Sequence, residues 1–415
     1  MVTTKSTTPK RFTRGTHRLV DPAETAARVL ALSGPLGITR VAHVTGLDCI
    51  GIPVVQVCRP NSRSLAVSQG KGTTLDAARA SGLMEAAELF HAERIGHPLK
   101  LGSWNDLRFS HELVRVEALP RVSVSPFHPD YSLLWIAGMD LFTSRPLWLP
   151  FELVHNNFTM PFPTGSGCFV MSSNGLASGN HPLEAISHGL CEVIERDAAA
   201  LFRLHPLEQQ ARLRVDLSTI TDPECVRLLR RFDEADVEVA VWDMTSDIGI
   251  ATFKAVILDR GSNPFRVLGP VEGMGTHPVR EVALLRALTE AAQGRLTLIA
   301  GSRDDNGRGR YAETQQAELI EHARRRLAET ATRAFDATPS YENDSFEEDL
   351  VTLTSGLQKA GLDQAIVVDL TKPEFAIPVV RVVVPGLEPY HHVPGYVPGP
   401  RARALLERQR KEAAS

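Results

Sequence analysis

The chain has 415 residues, of which 43% are hydrophobic and 23% are charged. This composition is ordinary for a soluble globular protein and excludes collagen-like, disordered and disulfide-scaffold proteins. The formal net charge is −4, although residues 1–18 and 401–415 are both basic, so the body between them is acidic. An acidic body argues against a nucleic-acid-binding protein and suits a protein that collects divalent metal ions.

The two ends of the chain are expected to be tails around one domain. Residues 1–14 lack the apolar stretch of a secretory signal and are interpreted as a disordered basic tail. Residues 15–400 are expected to form one composite domain, and residues 401–415 a basic C-terminal tail. No run reaches the 18 or so apolar residues of a membrane-spanning helix, so no membrane association is expected. Five widely spaced cysteines without a C-x-x-C pair favour a cytoplasmic location.

A short pattern occurs three times: a small residue, Leu, any residue, Glu, two further residues, then Glu or Gln. The copies are residues 82–88, 189–195 and 287–293. Each copy lies in a helix-like run that follows a glycine-rich segment, which we interpret as a turn. These segments are residues 68–74, 173–179 and 273–276. The repetition predicts three similar units within one fold.

A second repeated plan reads as helix, strand, strand. The first copy is residues 222–259, with a predicted helix at 224–232 and strands at 237–245 and 251–258. The second copy is residues 346–385, with strands at 365–371 and 377–384, and parts of the plan occur at 48–57 and 140–151. A separate peripheral helix is predicted at 313–333. β-Branched residues dominate the strand runs, and polar turn residues bound them. The predicted fold class is therefore α+β, with mixed or antiparallel sheets backed by helices.

The threefold pattern places two oxygen-bearing side chains on one face of each helix, because residues three apart are neighbours there. These side chains are Glu85, Glu88, Glu192, Glu195, Glu290 and Gln293. One such pair alone is typical of a solvated surface. Here apolar residues flank the pairs on nearly every side, which indicates buried helices whose acidic faces line a cavity. Converging buried carboxylates repel one another unless cations lie between them, so a cation such as Mg²⁺ is expected there. Because Mg²⁺ usually completes its coordination with phosphate oxygens, the site is also expected to bind a nucleoside triphosphate.

The glycine-rich segments are expected to complete a phosphate site. Backbone N–H groups in such turns, together with helix N-termini, can form a cradle for phosphate. Lys71, between Gly70 and Gly72, offers a positive charge to the same oxygens. The segment lacks the G-x-x-x-x-G-K-[S/T] sequence of a P-loop, so a P-loop enzyme is not supported.

Three blocks of the sequence resemble the nucleotide-site blocks of the YcaO family. They are residues 68–72 with the Ser81-x-x-x-Glu85-x-x-Glu88 run, residues 173–179 leading to 192–198, and residues 286–295; residues 37–41 and 45–55 are similar to the family's opening segment. The resemblance spans about residues 15–400. It implies an ATP- and Mg²⁺-dependent enzyme that activates a peptide backbone amide by O-phosphorylation.

The resemblance also implies roles for individual residues. Glu85, Glu88, Glu192, Glu195 and Glu290 would hold magnesium, Lys71, Ser81, Asn174 and Arg286 would contact ATP, and Glu195, Arg196 and Gln293 would act in catalysis. For Arg196 and Arg295, stabilisation of developing charge and structural pairing with buried acids both stay open.

Family members differ in the nucleophile that attacks the amide. Azoline-forming members commonly end in a proline-alternating tail, whereas this chain continues beyond residues 394–400 to Ser415. Residues 384–388 and 398–402 look more like members that use external sulfide to form thioamides with a TfuA-type partner. The resemblance thus implies a peptide or protein substrate, a sulfur donor, that partner and a homodimer. An azoline-forming cyclodehydratase and a non-catalytic nucleotide-binding accessory protein are the alternatives.

Overall fold

The computed structural model describes residues 7–261, 267–305, 307, 309, 312, 313, 315–389 and 395–414. Its helices are α1 (Pro22–Leu30), α2 (Ser33–Leu36), α3 (Leu75–Glu93), α4 (Trp104–Leu107), α5 (Pro182–Leu204), α6 (Leu207–Arg212), α7 (Pro223–Glu234), α8 (Arg280–Ala300), α9 (Ala317–Ala328), α10 (Phe346–Lys359) and α11 (Pro400–Ala414). Its strands are β1 (Arg40–His43), β2 (Val54–Cys58), β3 (Val67–Lys71), β4 (Leu99–Gly102), β5 (Leu133–Asp140), β6 (Pro146–Pro150), β7 (Leu176–Ser178), β8 (Val237–Asp243), β9 (Thr252–Asp259), β10 (Val271–Thr276), β11 (Ile366–Asp369) and β12 (Val379–Val383).

The strands form three sheets, and all the ladders between these strands are antiparallel. Two sheets have three strands, in the orders β1-β2-β3 and β10-β9-β8. The third has the order β4-β5-β11-β12-β7, with β6 paired to β5. This α+β architecture with antiparallel sheets confirms the predicted fold class. β3, β7 and β10 each lie at a sheet edge and directly precede the long helices α3, α5 and α8.

Two of the three glycine-rich segments are strands rather than turns, which corrects the sequence-based expectation. β3 contains Gly70, and β10 contains Gly273. A Cβ on Gly70 would lie 2.0 Å from the carbonyl oxygen of Ala78, and one on Gly273 would lie 2.2 Å from the amide nitrogen of Ala291. Glycine is needed here because each strand lies directly on the helix that follows it. In the middle segment a turn is present, and Gly175 has a φ of 77° there.

The helix starts follow the sequence signals closely. Thr74 caps α3 by accepting a hydrogen bond from the N–H of Ala77. Pro182 is the first residue of α5, and the His181 side chain caps that helix. The predicted helix at 224–232 corresponds to α7, and the helix predicted at 313–333 is shorter, being α9.

The predicted strands differ in outcome along the chain. Those at 237–245, 251–258, 365–371 and 377–384 correspond to β8, β9, β11 and β12, and the segment at 140–151 holds the turn from β5 into β6. Residues 48–53, by contrast, are irregular. Gly51 has a φ of 72° and Pro53 has no N–H to donate, so a strand begins only at Val54.

The N-terminal segment is anchored to the body, so from residue 8 onward it is not the predicted free tail. Thr8 donates from its N–H and hydroxyl to Glu347, at the start of α10. The Lys10 ammonium lies 2.8 Å from the Asp349 carboxylate, and both side chains are 1% exposed. Residues 1–6 lie outside the described part of the chain. In that part, none of the helices has the length and apolar character needed to cross a bilayer.

Candidate active site

The acidic faces of α3, α5 and α8 open onto one cleft of about 1360 Å³. The cleft is lined by all six repeated side chains, Glu85, Glu88, Glu192, Glu195, Glu290 and Gln293, and also by Lys71, Ser81, Arg196 and Arg286. The other buried residues of these three helices are mostly small or apolar. The structure therefore brings together groups that lie more than two hundred residues apart in sequence.

Free N–H groups of the edge strands orient three of these carboxylates. Glu88 accepts hydrogen bonds from the N–H of Ser178 at 2.9 Å and from its hydroxyl at 2.6 Å. Edge strands leave N–H groups without ladder partners, and these need acceptors. The N–H of Gln69 in β3 donates to Glu85, and that of Met274 in β10 donates to Glu290, each at 3.4 Å. In β3 and β10 the strand N–H thus holds a carboxylate of the helix that follows that strand, whereas Ser178 in β7 holds Glu88 of α3, a helix from a different copy of the repeat.

Burial makes four of the five carboxylates reluctant to ionise. It raises the pKa of Glu88 to about 8 and that of Glu192 to about 7. It also raises the pKa of Glu85 and of Glu195, and neighbouring carboxylates add to the effect at both. Without a cation between them, Glu88 and Glu192 would therefore hold protons near neutral pH.

Glu290 behaves differently because a lysine contacts it. Burial alone would raise its pKa, but the ammonium of Lys71 and the guanidinium of Arg196 hold the pKa of Glu290 below its ordinary value. Lys71 forms an ion pair with Glu290. The predicted phosphate-binding lysine therefore lies within the acidic group itself, between the end of β3 and the middle of α8.

Arginines form the positive part of the cleft. The Arg286 Nη2 lies 3.1 Å from Nε2 of His188, and burial together with Arg286 keeps the pKa of His188 well below its ordinary value. The neutral imidazole can thus accept from the guanidinium. Arg196 lies 3.5 Å from Glu195, which is 3% exposed.

Other predicted residues lie outside the cleft. Asn174 is in the turn before β7, is not among the cleft-lining residues, and has a buried Oδ1 with no hydrogen-bond partner in the described structure. Arg295, 1% exposed, pairs with Asp48 at 2.9 Å and Asp259 at 2.8 Å. Of the two roles that stayed open for Arg295, structural pairing is the one that the structure supports.

Several basic residues that sequence reasoning missed also line the cleft. They are Arg14, Arg18, Arg203, Lys254 and Arg303. Arg14 belongs to the segment interpreted as a tail, where composition gave no sign of docking. Arg203 lies seven residues after Arg196 on α5, a spacing that returns to the same helix face and could have been noticed.

The residues present fit magnesium and a triphosphate. Carboxylate and amide oxygens are the hard donors that Mg²⁺ prefers, and a divalent cation relieves the repulsion that raises the pKa of Glu88. The Nε of Arg286 and the Nε of Arg18 are buried and make no hydrogen bond within the described residues. Such unsatisfied donors at a cleft suit an anionic ligand.

Fold and cleft together define a protein that binds a nucleoside triphosphate through magnesium. Residues 69–388 match the profile of the YcaO cyclodehydratases, described as ATP- and Mg²⁺-binding. The chain belongs to the YcaO family, and ATP and Mg²⁺ are its cofactors.

Relatives of known sequence cover most of the chain. An uncharacterized protein of Rhizobium leguminosarum bv. trifolii, named for its place in the tfuA 3′ region, is 36% identical over 382 residues, 89% of this chain and 88% of its own length. An uncharacterized protein of Methanothermobacter thermautotrophicus is also 36% identical, over 93% of this chain and 99% of its own.

Solved structures share the fold. The YcaO protein of Methanopyrus kandleri, bound with AMPPCP and Mg²⁺, superposes with a TM-score of 0.74 and 26% identity, over 95% of this chain and 98% of its own. A heterocyclase in complex with substrate and cofactor gives a TM-score of 0.78 at 24% identity, which shows similarity of fold alone. The superposed region spans 98% of this chain but 57% of the heterocyclase chain.

Proposed function

We propose that the protein activates a backbone amide of a peptide or protein by O-phosphorylation, and that external sulfide then gives a thioamide. The observation that carries the proposal is the convergence of the acidic faces of three helices with Lys71 and Arg286 in one cleft. The thioamide outcome is supported by the relative named for its place in the tfuA 3′ region. A TfuA-type partner, a sulfur donor and a homodimeric state belong to the same proposal.

Bound with magnesium, ATP would supply the phosphoryl group that converts the amide oxygen into a good leaving group. Magnesium would be held by the carboxylates Glu85, Glu88, Glu192, Glu195 and Glu290. Lys71 and Arg286 would neutralise phosphate oxygens, because both carry positive charge into the cleft. Ser81 lines the cleft and would bind the nucleotide through a neutral hydrogen bond, and Asn174, which does not line the cleft, is left out of this proposal.

Glu195, Arg196 and Gln293 are the proposed catalytic residues. Burial raises the pKa of Glu195 above its ordinary value, which suits a group that accepts and returns a proton. Arg196, 3.5 Å from Glu195, would stabilise charge on the transferring phosphoryl group. The Gln293 amide donates to the carbonyl of Gln69 at 2.9 Å, so its orientation is fixed and its oxygen is left for substrate or a metal-bound water.

An azoline-forming cyclodehydratase is the second candidate. The family description and the fold shared with a heterocyclase favour it. In that reaction a Cys, Ser or Thr side chain of the substrate attacks the amide, and water is lost. The cleft chemistry proposed above is the same for both reactions, so only the nucleophile distinguishes them.

The experiment is expression of the chain in a bacterial host with a TfuA-type protein, followed by mass spectrometry of the host peptides. A thioamide synthetase replaces oxygen by sulfur and increases a peptide's mass, whereas a cyclodehydratase removes one water. Glu195→Gln serves as the inactive control. The accessory-protein alternative holds if the purified protein binds AMPPCP with Mg²⁺, yet no peptide mass differs between the strain that expresses the wild type and the strain that expresses Glu195→Gln. All five cysteines are free thiols, as expected for the cytoplasm, where we propose that the protein acts.

A further inference from the structure

One long stretch of the chain carries no formal charge. Residues 153–183 contain no Asp, Glu, Lys or Arg, although 23% of the whole chain is charged. The stretch supplies one wall of the cleft, through Asn156, Phe158, Ser173, Leu176 and Ser178. The other walls carry the carboxylates and the basic residues. A triphosphate requires the charged walls, so the uncharged wall is left for a different part of the reacting complex.

Three large apolar side chains of this uncharged stretch are exposed to solvent. Phe158 is 41% exposed, Met160 75% and Phe162 42%. Single exposed apolar residues are common on protein surfaces, but three within five residues, the first of which lines the cleft, indicate a binding surface. We call residues 158–162 the apolar loop. The loop is irregular, so no sheet or helix requires this apolar content.

The chain is anchored to the body on both sides of the apolar loop. On one side the buried Arg381 donates to the carbonyl of Val154 at 3.0 Å and to the Asn156 side chain. On the other side the Glu152 carboxylate accepts from the N–H groups of Cys168 and Phe169, each at 3.0 Å. Anchors of this kind keep the loop in place beside the cleft and reduce the entropy lost when a ligand binds.

We propose that the apolar loop docks the substrate polypeptide, and that the residues flanking the modified amide are large and apolar. The inference rests on the proposed function, because it takes the reacting amide to lie in the cleft. Phe158 belongs to both the cleft and the loop, so the two surfaces are continuous. An extended chain advances about 3.3 Å per residue, so a few residues on either side of the reacting amide are enough to reach from the cleft to the apolar loop.

The test uses two fluorescein-labelled peptides with AMPPCP and Mg²⁺ present. One has a Leu-Phe-Gly-Gly-Phe-Leu centre, and the other has Ser-Gln-Gly-Gly-Gln-Ser in its place. Fluorescence anisotropy gives their dissociation constants for the wild type, for M160S/F162S and for F109S. Phe109 is the matched control, because it is 82% exposed and does not line the cleft. Circular dichroism shows that each variant is folded.

The wild type and F109S are expected to bind the apolar peptide about tenfold more tightly than the polar one, a difference that M160S/F162S abolishes. A preference that survives in M160S/F162S, or that is absent from the wild type, overturns the proposal. Sedimentation provides another outcome: a wild-type dimer that M160S/F162S converts to monomer shows that a second copy covers the loop, and this also overturns it.

AMPPCP binding, measured on the same samples, separates two kinds of failure. Nucleotide that binds normally while the apolar peptide shows no preference refutes the docking surface alone. Failure of wild-type protein to bind AMPPCP with Mg²⁺ refutes the proposed function, and the docking inference is refuted with it.

Discussion

Glu88 shows how a single carboxylate is prepared for a cation. It lies on α3 between Glu85 and Glu192, and both neighbours raise its pKa in addition to burial. Hydrogen bonds from Ser178 favour the charged form, but they do not outweigh burial, and the pKa stays at about 8. A divalent cation offers what the hydrogen bonds do not, because it neutralises several carboxylates at once.

The metal-free protein should therefore lose stability as the pH rises. Glu88 has a pKa of about 8 in the folded state and about 4.5 when unfolded, so the folded state holds the extra proton between these values. Its contribution to stability is complete below pH 4.5 and is lost as the pH approaches 8. The slope is at most about 1.4 kcal/mol per pH unit from this group, and Glu192 adds to it up to pH 7.

Urea unfolding in EDTA at pH 5.5 and pH 8.5 measures this effect. Glu88→Gln cannot ionise, so its stability should change less between the two pH values. Glu112→Gln is the control, because Glu112 forms an exposed pair with Arg145. Equal pH dependence in wild type and Glu88→Gln would show that Glu88 is not protonated in the folded protein.

The strand-helix unit is the element that repeats in this fold. In two copies, glycine in the strand allows the backbone of the helix to approach, and in the same two copies a strand N–H holds a carboxylate of that helix. The distance between strand and helix therefore determines where the carboxylate lies. Packing and ligand geometry are coupled through one small residue.

Gly273→Ala tests this coupling. The added Cβ would lie 2.2 Å from Ala291 N and 2.3 Å from Ala287 O, so β10 and α8 must separate. We expect a loss of roughly 1–3 kcal/mol in the free energy of unfolding, together with weaker nucleotide binding because Glu290 moves with α8. Gly46→Ala is the control, since nothing lies within 4 Å of its Cβ position. Calorimetry with AMPPCP and urea unfolding report both effects.

The N-terminal segment makes a second prediction at this scale. Lys10→Met leaves the buried carboxylate of Asp349 without its ammonium partner, and breaking a buried pair costs roughly 3–5 kcal/mol. Arg79→Met breaks an exposed pair with Asp76 and should cost at most about 1 kcal/mol. Limited proteolysis would show cleavage near residues 11–16 in Lys10→Met only. Resistance equal to that of wild type would show that the segment is held by other contacts.

The whole molecule brings three distant units to one cleft. Ser178 lies ninety residues from Glu88, and Lys71 lies 219 residues from Glu290, yet each pair is in contact. A ligand that bridges these units would add to the polar contacts that already join them. Ligand binding to the cleft should therefore stabilise the fold as a whole.

AMPPCP with Mg²⁺ should raise the unfolding temperature of the protein in a single transition. At 100 times the dissociation constant, the folded state gains about 2.7 kcal/mol. AMPPCP with EDTA should give a much smaller increase, because the carboxylates repel an uncompensated triphosphate. Scanning calorimetry with and without Mg²⁺ measures the difference. An equal shift in EDTA would show that nucleotide binds without magnesium.

The sequence by itself determined what depends on local spacing. Side chains three residues apart share a helix face in any helix, so the three pairs of oxygen-bearing side chains were predictable, and the strand and helix patterns predicted the α+β class. The cap at Thr74 and the proline at the first position of α5 are local signals of the same kind. The family resemblance added the cofactors, which agree with the family match.

Only the tertiary structure decided what depends on contacts between distant residues. Two of the glycine-rich segments, interpreted as turns from the sequence, are strands: Gly70 lies in β3, which pairs with β2, and glycine is needed there because α3 packs directly on it. Arg295 could have served catalysis or structure, and its pairing with Asp48 supports the structural role. The ion pair between Lys10 and Asp349 could not be predicted from the sequence either, because the composition of a segment does not show which part of the fold it contacts.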